Sequence, residues 1–275
     1  MEKKSKSIKR IITSIIGFPP IASVLIFANT YIMDIFVAII AIISMYEYFN
    51  CFKAGKKANP SSWYGYILCV LIAFTHLVSK KLMYEVLIAI IPISLLVLII
   101  ELIFSKGKKN ILDVAVTMLG ICYIPTMILF LSLTRESLTH GRILVWYVFF
   151  SAWGSDIFAY FIGKNFGKHK FTQISPNKTI EGCVAGVIGA LIFAIIYTII
   201  VNNIWGLGIS YVSIILITIL LSIIGQIGDL AASSIKRYCG LKDFSELIPG
   251  HGGMLDRIDS IIFILPFAYI LLKLI

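Results

Sequence analysis

Charge is what this chain has little of. Only 14% of its 275 residues are Asp, Glu, Lys or Arg, against 59% hydrophobic, and the mean hydropathy is +0.95. A water-soluble domain of this length cannot hide so much apolar side chain, so that class is excluded. Acidic residues are the scarcer sign, 14 against 24 basic, for a net charge of +10. The five cysteines (Cys51, Cys69, Cys122, Cys183 and Cys239) are scattered and form no CxxC. Neither a disulfide framework nor a zinc set is expected from them, and they read as structural. Internal repeats and low-complexity segments are missing, and nothing suggests a second, soluble domain. The N-terminal basic stretch resembles the start of a signal peptide. Gly17-Phe18-Pro19-Pro20 interrupts its apolar run, however, and no small-x-small cleavage site follows, so it reads as retained.

What the chain does have is a series of apolar runs of about 20 residues, the length that crosses a bilayer as a helix. The expected fold is all-α and polytopic, with about nine transmembrane helices: 11–29, 33–50, 64–79, 83–104, 112–133, 143–163, 183–201, 211–231 and 259–274. Pro19-Pro20 would bend or break the first. With the N-terminus in the cytoplasm, nine crossings put 19 of the 24 Lys and Arg residues on the cytoplasmic side. Lys80, Lys81, Arg135, Arg142 and Lys273 stay outside. That split is what the positive-inside rule expects, and it marks a multi-pass protein of the cell membrane. The net charge then reflects topology and attraction to anionic membrane lipids, about 1 kcal/mol per basic residue near the surface, with no nucleic acid implied.

Composition divides the chain. Residues 1–142 read as scaffold, and as a surface on which a homodimer could form; their acids Asp34, Glu47, Glu101 and Asp113 fall at span ends, where exposure at the interface is cheap. Glu47 is the deepest of these and could instead face a seam of the bundle. Residues 143–275 hold the chemistry, in two long polar stretches, 164–182 and 232–258. Loops of such length are usually functional.

The most informative run is Ser234–Asp259, S-I-K-R-Y-C-G-L-K-D-F-S-E-L-I-P-G-H-G-G-M-L-D-R-I-D. Cations beside Gly-rich turns suit phosphates, and carboxylates three residues apart suit a divalent metal. Asp229 lies just upstream, on one helical stripe with Ser233 and Lys236; it is either a metal ligand or the structural partner of Lys236 or Arg237. Gly225 and Gly228 would let another element approach. Asp256 and Asp259 share one face at the start of the last span. Simple capping would explain one of them. Asp256 is the stronger metal candidate, and Asp259 is either a ligand or a helix-pairing residue. Lys236, Arg237, Lys242 and Arg257 could clamp a triphosphate, or merely carry the positive-inside signal. His251 could donate to phosphate, act as acid or base, or hold a turn; donation is favoured because phosphoryl transfer asks mainly for positioning and charge. Asp156, a buried acid in the sixth span, could complete the metal site, bind nucleotide, or link two helices. Ser175-Pro176-Asn177-Lys178-Thr179-Ile180-Glu181-Gly182 offers donors to substrate, and it also reads as a helix start, with Asn177 or Ser175 as cap and Glu181 in the first turn. His169 and its basic neighbours read as head-group contacts.

The Ser234–Asp259 run resembles, without a gap, the signature of the phosphatidate cytidylyltransferases, the CDP-diacylglycerol synthases. The matching positions are Lys236-Arg237, Lys242-Asp243, Pro249, His251-Gly252-Gly253 and Asp256-Arg257-Ile258-Asp259. Ser155-Asp156, Ala159-Tyr160-Phe161, Gly163, Gly167 and Ser175–Gly182 resemble the same family, whereas the first ~140 residues match only as a string of apolar spans. The resemblance implies that CTP and phosphatidate give CDP-diacylglycerol and pyrophosphate, in phospholipid biosynthesis. It also implies Mg2+, which the acids above place chiefly on Asp229 and Asp256, and a second, monovalent cation such as K+. A cytosol-facing cavity near the inner interface is expected, open sideways so that acyl chains stay in lipid. Two rival readings are a related CTP-dependent enzyme acting on an isoprenoid lipid and an ion-coupled transporter. Acids clustered at one membrane face, in a chain without repeated broken spans, speak against the transporter.

Overall fold

The computed structural model describes residues 19–248, 250 and 252–275, and it is helical almost throughout. Residues 19–27 are helical; the remainder of the expected first span, 11–18, lies outside the described residues. The helices that follow are α1 (Thr30–Ala54), α2 (Ser62–Ile72), α3 (Lys80–Phe104), α4 (Ile111–Tyr123), α5 (Pro125–Ser137), the short α6 (Gly141–Leu144), α7 (Trp146–Phe166), α8 (Ile180–Trp205), α9 (Tyr211–Tyr238) and α10 (Leu255–Leu272). Among the described residues the only β pairings are two isolated bridges, Lys170 with Thr179 and Ile248 with Gly252.

Among the described residues, six stretches are long and apolar enough to cross a membrane: Thr30–Ala54, Glu85–Phe104, Ile111–Ser137, Gly141–Phe166, Ile180–Trp205 and Tyr211–Tyr238. The chain is therefore an all-α, polytopic membrane protein. Of the other expected spans, α2 is a shorter apolar helix, and α10 carries Asp256, Arg257 and Asp259 near its start.

Local chemistry explains the element ends. Asn29 caps α1 by accepting from Ile32 N at 2.9 Å. Asn110 and Asp113 form a reciprocal capping box at α4. The expected span 112–133 is two helices, because Pro125 has no N–H to continue the ladder past Ile124. Thr179 caps α8, accepting from Gly182 N at 3.1 Å, with Glu181 in the first turn. Neither Asn177 nor Ser175 takes that place. The bridge between Lys170 and Thr179 keeps the chain extended through Thr179, so the helix cannot start earlier.

The chain packs as two units. One takes the described residues up to Ser132 together with Lys236–Ile258; the other takes Leu133–Ile235 and Asp259–Ile275. In the first, Tyr48 and Phe49 of α1 are fully buried, and the Tyr48 hydroxyl donates to Val116 O at 3.0 Å. Three of the four acids expected at an exposed interface are buried here instead: Asp34, Glu47 and Asp113 are only 1%, 2% and 2% exposed. Glu47 and Asp113 have donors that stand in for water at both oxygens, whereas Asp34 is hydrogen-bonded at one, its Oδ2 lying 3.3 Å from His76 Nδ1. Asp34 accepts from Ser132 Oγ, and Asp113 from Asn59 N and Asn110 N. In the second unit α7 and α8 pack closely, and a Cβ on Gly154 would stand 2.9 Å from Ala190 Cα. Helices α9 and α10 meet in the same way at Gly225 and Gly228, as the glycine spacing suggests; a Cβ on Gly228 would fall 2.9 Å from Asp259 O.

Candidate active site

The first unit carries a polar cluster built on the end of α9, the loop after it and the start of α10. Helix α9 closes with Leu241 N donating to Lys236 O at 2.9 Å around Gly240 at φ +74°. That is a Schellman ending, and it turns the chain back beside Lys236. Lys236 Nζ donates to Asp256 Oδ1 at 2.6 Å and lies over the Phe244 ring. Asp256 Oδ2 accepts from Phe244 N and Gly253 N, both at 2.9 Å. The pair is buried, with side-chain exposures of 9% for Lys236 and 2% for Asp256. Such a pair holds where further hydrogen bonds support it, as the two backbone amides on Oδ2 do here. Farther round the loop, Ile248 and Gly252 exchange two backbone hydrogen bonds across a tight turn, with Gly252 at φ +88°. Arg237 is exposed, and its Nη1 donates to Leu241 O at 2.8 Å. Lys242 and Arg257 are exposed. His251 and Pro249 lie outside the described residues.

The second unit carries a more open cluster. Lys178 Nζ lies 2.6 Å from Asp229 Oδ2, with side-chain exposures of 23% and 30%. Lys178 also reaches Gln226 O at 3.4 Å, and Ser233 Oγ reaches Asp229 Oδ1 at 3.5 Å. Lys178 is delivered by a turn, its N donating to Ser175 O at 3.0 Å, and then by the bridge that runs into α8. Glu181 pairs with His169 Nδ1 at 2.6 Å, so His169 has a carboxylate partner besides any lipid head group. Asn177 is exposed and Ser175 half-buried. Asp259 is 7% exposed, and its Oδ1 accepts from Ser260 N at 2.8 Å.

Three expectations change. Asp229 pairs with Lys178 rather than with Lys236 or Arg237, because Lys236 is engaged by Asp256. Asp156, expected to be buried, is exposed on α7, and the buried polar link falls to its neighbour Ser155. Gln226 Nε2 donates to Ser155 Oγ at 3.1 Å and to Cys183 O at 3.0 Å, tying α7, α8 and α9 together. One step along a helix turns a side chain by about 100°, which separates the seam from the outer face. Glu47 is the other residue whose engagement the sequence hides: it accepts from Ser245 Oγ, Met254 N and Leu255 N. The signal for it was the isolated carboxylate in an apolar helix.

Among the described residues, no three His, Cys, Asp or Glu side chains converge as a metal set. The acids do fit a cation that keeps waters and takes its other ligands from substrate phosphates, as Mg2+ usually does. Among the described residues, Asp229 is half-exposed and lightly bonded, and Asp256 Oδ1 accepts only from Lys236.

Comparison with known proteins identifies the family. A model of the cytidylyltransferase family matches residues 8–275. A phosphatidate cytidylyltransferase of Staphylococcus haemolyticus (strain JCSC1435) is 33% identical over 267 residues, covering 96% of this chain and 98% of that protein. The protein of the same name from Bacillus subtilis (strain 168) is 39% identical over 172 residues, 62% of this chain and 61% of its own length. Another, from Staphylococcus aureus (strain COL), is 40% identical over 174 residues, 62% of this chain and 63% of its own.

Proposed function

The chain belongs to the cytidylyltransferase family, and we propose that it transfers the cytidylyl group of CTP to phosphatidate, giving CDP-diacylglycerol and pyrophosphate. The observation that carries this reading is the presence of two Lys–Asp pairs, Lys178–Asp229 and Lys236–Asp256, in an otherwise apolar helical protein. Both pairs bring cations and hard carboxylates to the two motif segments. The curated relatives' name supplies the acceptor.

In this reaction a phosphate oxygen of phosphatidate attacks the α-phosphorus of CTP. The bond from that phosphorus to the bridging oxygen of the β-phosphate breaks, and pyrophosphate leaves with the electron pair. Nucleophile and electrophile are both anions, so the protein's task is positioning and charge neutralisation. Lys178 is the half-exposed cation suited to meet incoming phosphate, and the exposed Arg237 offers a planar fork of donors. Lys236 is held in place by Asp256 and contributes its charge from a fixed position. A divalent cation such as Mg2+ would offset the repulsion and the charge on pyrophosphate, and Asp229 and Asp256 are each a carboxylate suited to serve as its ligand. K+ would fit the same reading as a second, weaker counter-charge.

The protein sits in the plasma membrane with both motif segments facing the cytoplasm, where CTP is. The 19 basic residues on that side support this orientation. Single cysteines at Gly167, Ser245 and Thr139, in an otherwise Cys-free protein, test it with an impermeant thiol reagent on intact cells. Only the Thr139 site should label; labelling at Ser245 from outside would overturn the orientation. The reaction itself is tested with purified protein, labelled CTP and either phosphatidate or an isoprenoid phosphate in mixed micelles. Label should enter CDP-diacylglycerol. Label in the isoprenoid product alone, or in no lipid at all, would overturn the assignment.

A further inference from the structure

Glu47 stands in the second half of α1, in a stretch whose other tasks are apolar packing, and it is 2% exposed. Its Oε1 accepts from Ser245 Oγ at 2.6 Å and from Met254 N at 2.9 Å, and its Oε2 accepts from Leu255 N at 2.7 Å. Met254 and Leu255 carry two of the N–H groups that the start of α10 leaves without partners inside the helix. Glu47 therefore serves as the terminal anion of a helix that starts 208 residues later. The approach is close: a Cβ on Gly253 would stand 2.6 Å from Glu47 Oε2. Among the described residues no cation pairs with Glu47. Burying a carboxylate costs several kcal/mol unless donors replace its water, of order 2–7 kcal/mol even for a neutral polar group. A leucine would pack α1 without that cost. What the carboxylate adds is a shape for the loop, fastened to Glu47 at Ser245 and again at Met254–Leu255. Asp256 fastens the same loop at Phe244 and Gly253.

We propose that Glu47 is a positioning residue for cytidylyl transfer. It holds Ser245 and the Met254–Leu255 start of α10 where they keep Asp256 and Lys236 aligned, and it does so from the half of the chain that otherwise reads as scaffold. It touches no reacting atom. The proposal rests on the cytidylyltransferase reading above.

The test uses purified full-length protein in detergent, with Glu47→Gln as the main variant. The amide keeps size and one acceptor oxygen, but it sets an NH2 against a backbone N–H donor at one end of the loop. Expected are a fall in kcat of about 10- to 100-fold with both KM values nearly unchanged, since an interaction felt only on the way to the transition state is lost. Amide hydrogen exchange should speed up within residues 241–256 and stay at wild-type rates in α4 and α8. Ser245→Ala, which removes a single bond of about 1 kcal/mol, should move kcat the same way by about 5-fold. Three results would overturn the proposal: kcat at the wild-type value, exchange that quickens across α1 and α4 as much as in the loop, or lost activity with the loop's protection intact. If the wild-type protein itself puts no label from CTP into lipid, the reaction assignment fails instead, and the two failures are told apart by that control.

Discussion

Two Lys–Asp pairs of identical length, 2.6 Å, behave as different objects because their surroundings differ. Lys236–Asp256 is buried, and its carboxylate accepts from three donors, two of them backbone amides of a single loop. Lys178–Asp229 is about a quarter exposed, and among the described residues a serine 3.5 Å away is the carboxylate's only other donor. A buried pair whose carboxylate also takes two backbone amides is a fastening, since breaking it strands a charge out of water. A half-exposed pair can trade its partner for a ligand at little cost, because water already competes for both ends. Equal distance is therefore no guide to equal role; the count of other donors and the exposure decide.

Substitutions at the two aspartates separate these roles. The largest effect is expected at Asp256→Asn. Its amide cannot accept everything Asp256 accepts, and Lys236 is left buried and unpaired, so stability should fall by about 3–5 kcal/mol. CDP-lipid formation should drop below detection, with the thermal transition in detergent clearly lowered. Asp229→Asn should cost activity about as severely, of order 100- to 1,000-fold, because a carboxylate suited to hold the charge-neutralising cation is lost. Its thermal transition should stay near that of the wild type. If Asp229→Asn destabilised the protein as much as Asp256→Asn, the two pairs would be alike and the contrast would fail. If either variant kept near-normal activity at millimolar Mg2+, that residue would leave the proposed metal site.

How much of this was legible in the sequence follows the range of the interactions. The apolar spans, the polytopic class and the two motif segments are local in sequence and could be read from run length and composition. The close approach at Gly225 and Gly228 was legible too, because both glycines lie on one helix. The pairing of charges was not. Helical spacing sees partners at three, four or seven positions, and so it offers Lys236 to Asp229; the partner Lys236 takes is 20 residues away, beyond a loop. Glu47 is the extreme case, bonded to backbone 207 and 208 residues on. Burial misled at Asp156, where a motif position was taken for the seam although Ser155 fills it. The cap of α8 was misplaced because a bridge between Lys170 and Thr179 leaves no mark in composition.

Smaller effects sharpen the contrast from the cation side. Lys178→Gln removes the charge of the open pair without stranding a buried group. It should raise the apparent KM for CTP by about 10-fold while kcat falls less, the pattern of lost binding rather than lost chemistry. A change confined to the phosphatidate dependence would move Lys178 to the lipid head group.

Arg237→Lys should give the smallest loss, and it probes the ground between the two pairs' roles. Arg237 sits in the last turn of α9 next to the fastened Lys236, yet it is exposed, and one arm of its fork is bonded to Leu241 O. Lysine keeps the charge and can keep one donor, but it cannot hold that carbonyl and a phosphate oxygen together as a planar fork can. A loss of about 5- to 10-fold in kcat/KM for CTP is expected, corresponding to roughly one charge-assisted hydrogen bond of 1–1.5 kcal/mol. Stability should be unchanged, because no buried group loses its partner. Kinetics with each substrate varied in turn provide the check. If Arg237→Lys were silent with both substrates, the guanidinium would serve only the loop carbonyl, and the half-exposed pair at Lys178 would stand alone as the cation facing the nucleotide. If instead it lowered stability as Asp256→Asn should, Arg237 would belong with the fastening.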